Sequence, residues 1–467
     1  MLFSSLSFIY YFLPIVFIIY FAVPTRFRNV VLVVASLFFY FYGEPIYVTL
    51  LLFSIVVNYL HSLVIDKHLG QPQAKKALIS AIVINVLLLG FFKYADFFIE
   101  NLNAVFSLNI DKIGLGLPIG ISFYTFQAIS YIIDIYRGDA KLQRSLLGTA
   151  TYMSLFPQLI AGPIVRYRTI ADEINTRTHS FDNFAYGVQR FVIGLGKKVL
   201  IANSLGELHV IALATNNPSV LIYWLGAISF ALQIYFDFSG YSDMAIGLGR
   251  IFGFHFLENF NYPYISKSIT EFWRRWHISL GSWFRDYVYI PLGGNRVSNL
   301  KWFRNIFIVW FLTGFWHGAS WNFVIWGLYF GLILVLEKYF LRNLLERLPA
   351  FFQHSYVLLL VLFSFVIFSI DNMSALGSYL QGMVGLGGLP FANAEAIYYL
   401  RSYLVIILVA IVAATPLFRN IFSRLLTRER ASRVIGYLEP ALYLLLMVII
   451  TAYLVDSSFN PFLYFRF

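Results

Sequence analysis

The stretch "IYVTLLLFSIVVNYLHSLVI", residues 46–65, contains no Asp, Glu, Lys or Arg over 20 positions. A helix of 20 residues rises about 30 Å, which is the thickness of the hydrocarbon core of a bilayer. This stretch therefore predicts a membrane-spanning helix. Apolar runs of similar length recur along the chain, and together they predict about ten to twelve spans; clear examples are residues 6–23, 77–98, 355–371 and 436–455.

The composition of the whole chain agrees with this prediction. The 467 residues are 59% hydrophobic, 19% aromatic and only 12% charged, whereas soluble domains are roughly 25% charged. The apolar runs are continuous, so they predict helices and not the short alternating strands of an outer-membrane barrel. The predicted fold is all-α: a polytopic integral membrane protein with additional re-entrant and interfacial helices, formed as one membrane-embedded domain over residues 1–467.

Charge indicates how the chain is oriented. The net charge of +11 resides largely in short loops between apolar runs, a positive-inside pattern that places the N-terminus outside and makes the lipid bilayer, not nucleic acid, the expected partner. The first run lacks a basic residue before it and a cleavage site after it, so we predict a retained span and not a signal peptide. The alternation fails near residues 147–190, where we expect "LFPQLIAGPIV" (155–165) to enter the membrane without crossing it.

Three apolar segments contain Pro or Gly at membrane depth. Irregular backbone is tolerated in a bilayer only where protein or a wet cavity surrounds it. We therefore expect all three segments to be broken and to lie inside the bundle around a cavity; they are residues 117–126, 155–165 and 236–254. The chain has no cysteine, which excludes disulfides and thiol nucleophiles.

The most polar motif of the chain is "FWRRWHISLGSWFRDYVYIPLGGNR", residues 272–296. Its apolar residues follow a helical period, so the sequence predicts one amphipathic helix beginning near Ile269. Its charges would cost several kcal/mol inside a span, so we place it at the interface or at the floor of a cavity. His277 lies at the edge of the apolar stripe. An interfacial aromatic and basic anchor is the alternative interpretation of this motif.

A second histidine, His317, lies in the apolar run "IFIVWFLTGFWHGASW", residues 306–321. An ionisable residue within a span is a functional hypothesis by default, and a hydrogen-bonded packing histidine is the alternative. Gly314 and Gly318 flank it and leave room for another backbone or for a thin substrate. We expect no metal site, because no carboxylate or third histidine lies three or four residues from either histidine.

Six motifs of the chain form a characteristic set: "LPIGISFYTFQAISYIIDIYRG", "SLFPQLIAGPIVRY", "QIYFDFSGYSDMAIGLGRIFGF", the motif at 272–296, "WFLTGFWHGASWNFVIWGLYFG" and the terminal "NPFLYFRF". Together they resemble the membrane-bound O-acyltransferase superfamily, in particular its bacterial alginate O-acetyltransferase branch. The resemblance implies a motif core over about residues 117–331, followed by C-terminal spans and a relay-like motif over 355–467. It also implies that His317 is catalytic and that His277 is the second histidine at the cavity.

The resemblance further implies O-acetylation of an extracytoplasmic polysaccharide by an enzyme of the bacterial cytoplasmic membrane. The donor would be acetyl-CoA or another acyl thioester, with no bound cofactor, and a tunnel would connect donor and acceptor. His317 would act as general base, and an extracytoplasmic SGNH-type acetyltransferase would be a partner. Four basic residues are candidates for holding donor phosphates: Arg274, Arg275, Arg285 and Arg296.

The C-terminal "FLYFRF" suggests an acyl relay through Tyr464, with an aromatic belt at the final interface as the alternative. Two other functions are open at this stage. D-alanyl transfer to teichoic acid is the nearer alternative, and a secondary transporter with broken helices is the more distant one. The sequence does not identify the polysaccharide.

Overall fold

The computed structural model describes residues 1–456, 459–461 and 463. All regular structure within these residues is helical, so the all-α prediction is confirmed. The chain divides into two compact units, one formed by Met1–Phe191 with Tyr241–Glu258 and the other by Val192–Gly240 with Asn259–Phe467. The single domain predicted for the chain stays a prediction.

Seven helices of the described part are long and apolar enough to cross a membrane. They are Val48–Lys67, Pro72–Phe106, Val220–Ile251, Trp321–Arg347, Ala350–Ser369, Ala394–Ala413 and Glu429–Asp456. The predicted ten to twelve spans exceed this number. The difference arises because other apolar runs form shorter helices; the run at 6–23, for example, becomes the apolar helix Phe8–Ala22. The orientation predicted from the basic loops stays a prediction.

The first unit is built from helices that precede the polar motifs. They are α1 (Leu13–Ala22), α2 (Arg28–Gly43), α3 (Val48–Lys67), α4 (Pro72–Phe106), α5 (Ile121–Arg137), α6 (Leu146–Ser154), α7 (Phe156–Leu159), α8 (Tyr167–Asn175) and most of α9 (Phe181–Gly196). Asn58 of α3 and Asn85 of α4 exchange amide hydrogen bonds of 2.8 and 3.2 Å. Such side-chain bonds join helices where the surrounding lipid offers no hydrophobic driving force between them.

Two of the three broken segments have the predicted form. The helix α5 begins after Gly120, whose φ of 77° is in the left-handed region, and residues 155–165 contain only the short helix α7. All residues from 151 to 167 are buried. Residues 121–126 of the first segment are also buried. The predicted interior position is therefore confirmed for residues 121–126 and 155–165, and the cavity around them stays a prediction.

The third segment is not broken where we expected. The long helix α11 (Val220–Ile251) is continuous through Gly240, Gly247 and Gly249. Its glycines allow close packing instead: a Cβ on Gly247 would lie 2.5 Å from the carbonyl oxygen of Gly187. Small residues at helix contacts are typical of membrane bundles, so here glycine indicates helix packing and not a break.

The second unit contains the remaining helices and the polar motif. After a π-helical turn at Lys197–Ala202 come α10 (Asn203–Ala214), the first part of α11, α12 (Ile269–Arg275), α13 (Ile278–Phe284), α14 (Asn299–His317), α15 (Trp321–Leu336), α16 (Arg342–Arg347), α17 (Ala350–Ser369), α18 (Met373–Met383), α19 (Ala394–Ala413), α20 (Leu417–Leu426) and α21 (Glu429–Asp456). Both histidines singled out by the sequence lie in this unit.

Candidate functional site

His317 is the last residue of α14, and its side chain is 4% exposed. Three aromatic rings contact its imidazole edge to face: Trp316 and Trp326, each at 5.0 Å between ring centroids, and Phe368 at 5.4 Å. Asn322 donates hydrogen bonds to the carbonyl oxygens of Ile367 and Phe368 and thereby holds the end of α17 against α15. The catalytic candidate thus lies in an aromatic enclosure at a helix end.

The chain around His277 is not the single amphipathic helix that we predicted. It forms two short helices, α12 and α13, separated at Trp276 and His277, and His277 has a φ of 43° in the left-handed region. A non-glycine residue in that region costs on the order of 1–3 kcal/mol unless its surroundings hold it there. Helical periodicity continues across this point in the sequence, which is why the break was not predicted.

A non-helical segment opposite the break holds it in place. The backbone N–H of Asn261 donates to the carbonyl oxygen of Arg275 at 2.9 Å, and the N–H of Ile278 donates to that of Asn259 at 2.9 Å. These two bonds satisfy backbone groups that the interrupted helix leaves without partners. The segment around Asn259 therefore stabilises the backbone between α12 and α13.

Asn259 also determines which nitrogen of His277 carries a proton. Its Oδ1 accepts hydrogen bonds from the backbone N–H of Ser279 at 3.2 Å and from the Ser279 hydroxyl at 2.9 Å. A backbone N–H can only donate, so this atom is the amide oxygen. His277 Nδ1, 3.1 Å from the same oxygen, must then be the protonated nitrogen. In the neutral ring the lone pair is consequently on Nε2.

The electrostatics of the break keep His277 neutral. Its side chain is 1% exposed, and burial lowers its pKa well below the usual value, with nearby His317 lowering the pKa further. Within the described part of the chain, Nε2 of His277 has no hydrogen-bond partner. The ring therefore presents a buried nitrogen lone pair, which can accept a proton or a hydrogen bond.

Trp316 is a ring neighbour of both histidines. Its ring is 6.1 Å from that of His277 and 5.0 Å from that of His317. Phe238 of α11 covers His277 from another direction, with ring centroids 4.6 Å apart. The structure thus brings together the two histidines that the sequence singled out 40 positions apart.

The glycines beside His317 serve helix packing and do not leave room for a substrate. A Cβ on Gly314 would lie 2.2 Å from the carbonyl oxygen of Phe323, and one on Gly318 would lie 2.2 Å from the Phe323 ring. Of the two alternatives that the sequence left open, the approach of another backbone is the one observed at Gly314. This contact joins α14 to α15 directly below the histidine.

The four candidate donor-binding arginines fall into two pairs. Arg275 forms an ion pair with Glu271 at 2.8 Å, and Arg285 forms one with Asp286 at 2.7 Å. Arg274 and Arg296 are exposed, and neither forms an ion pair with any described residue. The guanidinium groups of this second pair are therefore more accessible to an anionic donor.

Two residues of this region were missed from the sequence. One is Asn259, which lies 18 positions before His277 in a segment without periodicity. The other is Glu337, 5% exposed, whose carboxylate accepts the backbone N–H groups of Ile269 and Thr270 at 2.6 and 2.9 Å. It caps the N-terminus of α12, where a negative charge is stabilising. The sequence signal for Glu337 is a carboxylate directly after a long apolar run, a position where charged residues are rare. Tyr464 lies outside the described residues.

The helices and the buried histidine pair define a multi-pass membrane protein with a candidate catalytic centre. Comparison with known proteins gives its class: the sequence model of the membrane-bound O-acyltransferase family matches residues 143–380, which include both histidines. An Azotobacter vinelandii protein named "Probable alginate O-acetylase AlgI" is 39% identical over 499 residues, covering 100% of both chains.

Two further relatives are named for related transferase activities. The "Peptidoglycan O-acetyltransferase" of Helicobacter pylori is 36% identical over 100% of this chain and 98% of its own. The "Teichoic acid D-alanyltransferase" of Bacillus subtilis is 32% identical over 48% of this chain and 59% of its own. The chain belongs to the membrane-bound O-acyltransferase family and is an O-acyltransferase. The predicted family and enzyme class are confirmed, and the transporter alternative is wrong.

Proposed function

We propose that this protein passes an acetyl group from an acyl thioester, such as acetyl-CoA, across the bacterial cytoplasmic membrane for O-acetylation of an extracytoplasmic polysaccharide. Full-length similarity to proteins named for alginate and peptidoglycan O-acetylation supports the acetyl group and the polysaccharide acceptor. The teichoic acid relative matches only 48% of the chain. Acetyl transfer is therefore favoured over D-alanyl transfer.

The observation that carries the proposal is the pair of buried histidines whose rings both neighbour Trp316. Neutral His317 takes the proton of an attacking hydroxyl while the hydroxyl oxygen bonds to the thioester carbonyl carbon. The carbon–sulfur bond then breaks, and the thiolate leaves as a thiol after taking this proton from His317, which becomes neutral again. General-base help of this kind is typically worth 10² to 10⁴-fold in rate. His277 lines the site and contributes the lone pair of Nε2.

The donor and the relay extend this proposal. Arg274 and Arg296, which lack carboxylate partners among the described residues, are the better candidates for holding donor phosphates, because Arg275 and Arg285 are each already paired. Tyr464 would carry the acetyl group as an ester towards the outer face, where an SGNH-type acetyltransferase would complete the transfer to the polymer. No bound cofactor takes part in these steps.

The test is His317→Ala in the native host, with membrane expression confirmed and O-acetyl groups measured on secreted and wall polysaccharides. We expect acetate ester to disappear from one polymer. The matched control is His68→Ala, since among the described residues the His68 side chain hydrogen-bonds only to the carbonyl oxygen of Val64 at the same helix end. Normal acetylation of all polymers in the His317 variant would refute the proposal, and loss of D-alanine ester in its place would favour the teichoic acid alternative.

A further inference from the structure

The second unit buries an ion pair that the proposed reaction does not use. Lys198 Nζ lies 2.7 Å from Asp237 Oδ1, and the two side chains are 2% and 1% exposed. Removing two charges from water is unfavourable unless the remaining donors and acceptors of both groups are also satisfied. The neighbours that satisfy them therefore indicate what the pair is for.

One neighbour is local. Lys198 lies in the π-helical turn Lys197–Ala202, and the backbone N–H of Asn203 bonds to the carbonyl oxygen of Lys198 across that turn. The wider turn places the two side chains side by side, so Lys198 Nζ donates to Asn203 Oδ1 at 2.8 Å. Single π-helical turns are frequent at functional sites. Lys198 then has one of its three N–H donors left.

The other neighbours belong to the C-terminal segment of the chain. Lys198 Nζ donates to the carbonyl oxygen of Pro461, and the backbone N–H of Leu463 donates to Asp237 Oδ2 at 3.2 Å. Asn203 Nδ2 also donates to Asn460 Oδ1 at 3.2 Å. The two ions thus each bind one backbone group of the same segment, more than 220 positions away along the sequence.

Two features bring this cluster together. A Cβ on Gly240 would lie 2.6 Å from the carbonyl oxygen of Gly194 and 3.2 Å from the backbone nitrogen of Lys198, so glycine lets α11 approach the π-helical turn closely. Leu463, 9% exposed, joins the apolar cluster that also contains Trp276. The next residue after Asp237 is Phe238, whose ring covers His277.

We propose that the buried Lys198–Asp237 ion pair forms a binding site for the C-terminal residues Pro461 and Leu463, with the contact between Asn203 and Asn460 beside it. This site positions the end of the chain for acyl transfer, a part of the inference that rests on the proposed function. When the segment is not bound, Lys198 lacks one acceptor and Asp237 lacks one donor in the buried interior. The ion pair therefore stabilises the bound position of the segment relative to the released one. The residues of this site are positioning residues, because they act through the segment that they hold.

Binding of the segment can be measured without any assay of activity. The chain has no cysteine, so Asn203→Cys with Asn460→Cys supplies the only two thiols. Cleavage at a protease site inserted in the exposed loop at 385–388 leaves the two cysteines on different fragments. A short bis-maleimide that has reacted with both cysteines keeps these fragments joined on a denaturing gel. The control pairs Asn460→Cys with Ala214→Cys, at the other end of α10 about 16 Å away. We expect cross-linking of the first pair only.

The ion pair is tested by Lys198→Met with Asp237→Leu, since replacing both ions of a buried pair by apolar residues is often neutral for stability. We expect this variant to lower the cross-linking yield several-fold. Truncation after residue 459 should lower the melting temperature of the native chain more than that of the double variant. An unchanged yield in a folded double variant, or equal effects of truncation in both chains, would overturn the proposal.

The role in transfer has its own readout. Asp237→Asn in the two-cysteine chain should reduce polymer acetylation, and the cross-link should restore it by holding the segment in place. Failure of the cross-link to restore acetylation would refute the positioning role. Normal acetylation in the His317→Ala variant would instead refute the proposed function, and it would leave the cross-linking result as evidence for the binding site.

Discussion

The contact between Asn259 and His277 leads to the most direct prediction, for the substitution Asn259→Ala. This change removes one oxygen that accepts three hydrogen bonds. Ser279 Oγ lies 3.4 Å from His277 Nδ1 and can accept its N–H in place of the amide oxygen, but the backbone N–H of Ser279 loses the acceptor that it has at 3.2 Å. A buried donor left unsatisfied costs about 1–3 kcal/mol. We expect the free energy of unfolding to fall by about 1–3 kcal/mol, the cost for the one backbone donor of Ser279.

Activity should fall together with stability. Without the amide oxygen, the remaining contact of Nδ1 is with Ser279 Oγ, which selects protonation at Nδ1 less strictly because a hydroxyl can donate as well as accept. The left-handed backbone at His277 also loses the side-chain part of its support. We therefore expect polymer acetylation per molecule of membrane protein to drop. The assays are thermal unfolding of the detergent-purified protein and acetate release from polymer made in cells.

Two comparisons isolate this effect. Ser279→Ala removes the hydroxyl that donates to Asn259 Oδ1 and lies 3.4 Å from His277 Nδ1, which should cost about 0.5–1.5 kcal/mol. Asn393→Ala removes an amide that caps α19 by accepting the N–H of Ala396, which should cost about 0.5–2 kcal/mol and leave acetylation unchanged. If Asn259→Ala were no less stable than Ser279→Ala and acetylated normally, Asn259 would not be what holds His277.

Three further predictions follow from packing and charge. Burial lowers the pKa of His277, so below about pH 6.5 the unfolded chain binds a proton that the folded chain does not. The free energy of unfolding should therefore fall by about 1.4 kcal/mol for each pH unit below that value. In thermal melts, His277→Gln should make this dependence on pH weaker. Gly314→Ala should destabilise by about 1–3 kcal/mol or more because its Cβ meets Phe323 at 2.2 Å, whereas Gly377→Ala, with open space around it, should be neutral or stabilising in the same melts. Glu337→Gln should weaken the cap of α12 by roughly 0.3–2 kcal/mol, and equal melting of this variant and the native chain would show that the charge is not needed.

The sequence predicted the helices better than it predicted their interruptions. Runs such as residues 46–65 carry a strong signal, because hydropathy over 20 positions averages out local preferences. The break at His277 carries none, since the apolar period continues across it. The predicted break in residues 236–254 was wrong for a related reason. Glycine indicates either a helix break or a close contact between helices, and the backbone that packs against Gly247 is distant in sequence.

The site was predictable to a similar degree. The two histidines were found from their position in apolar surroundings and from family motifs. The groups that hold them in place could not be found in this way. Asn259 acts through a contact 18 positions away, and the Lys198–Asp237 pair acts on a segment at the other end of the chain. Pairings between distant positions are fixed only by the folded structure.

The division of roles between the histidines follows from their electrostatics in the proposed reaction. A proton taken up by His317 places a positive charge next to His277, and the same interaction contributes to the low pKa of His277. Two neighbouring imidazolium groups in a dry aromatic enclosure would repel each other strongly. His277, held by Asn259 with its proton on Nδ1, therefore stays neutral while His317 is protonated. A neutral Nε2 beside a protonated His317 can accept a hydrogen bond from the reacting groups without competing for the proton.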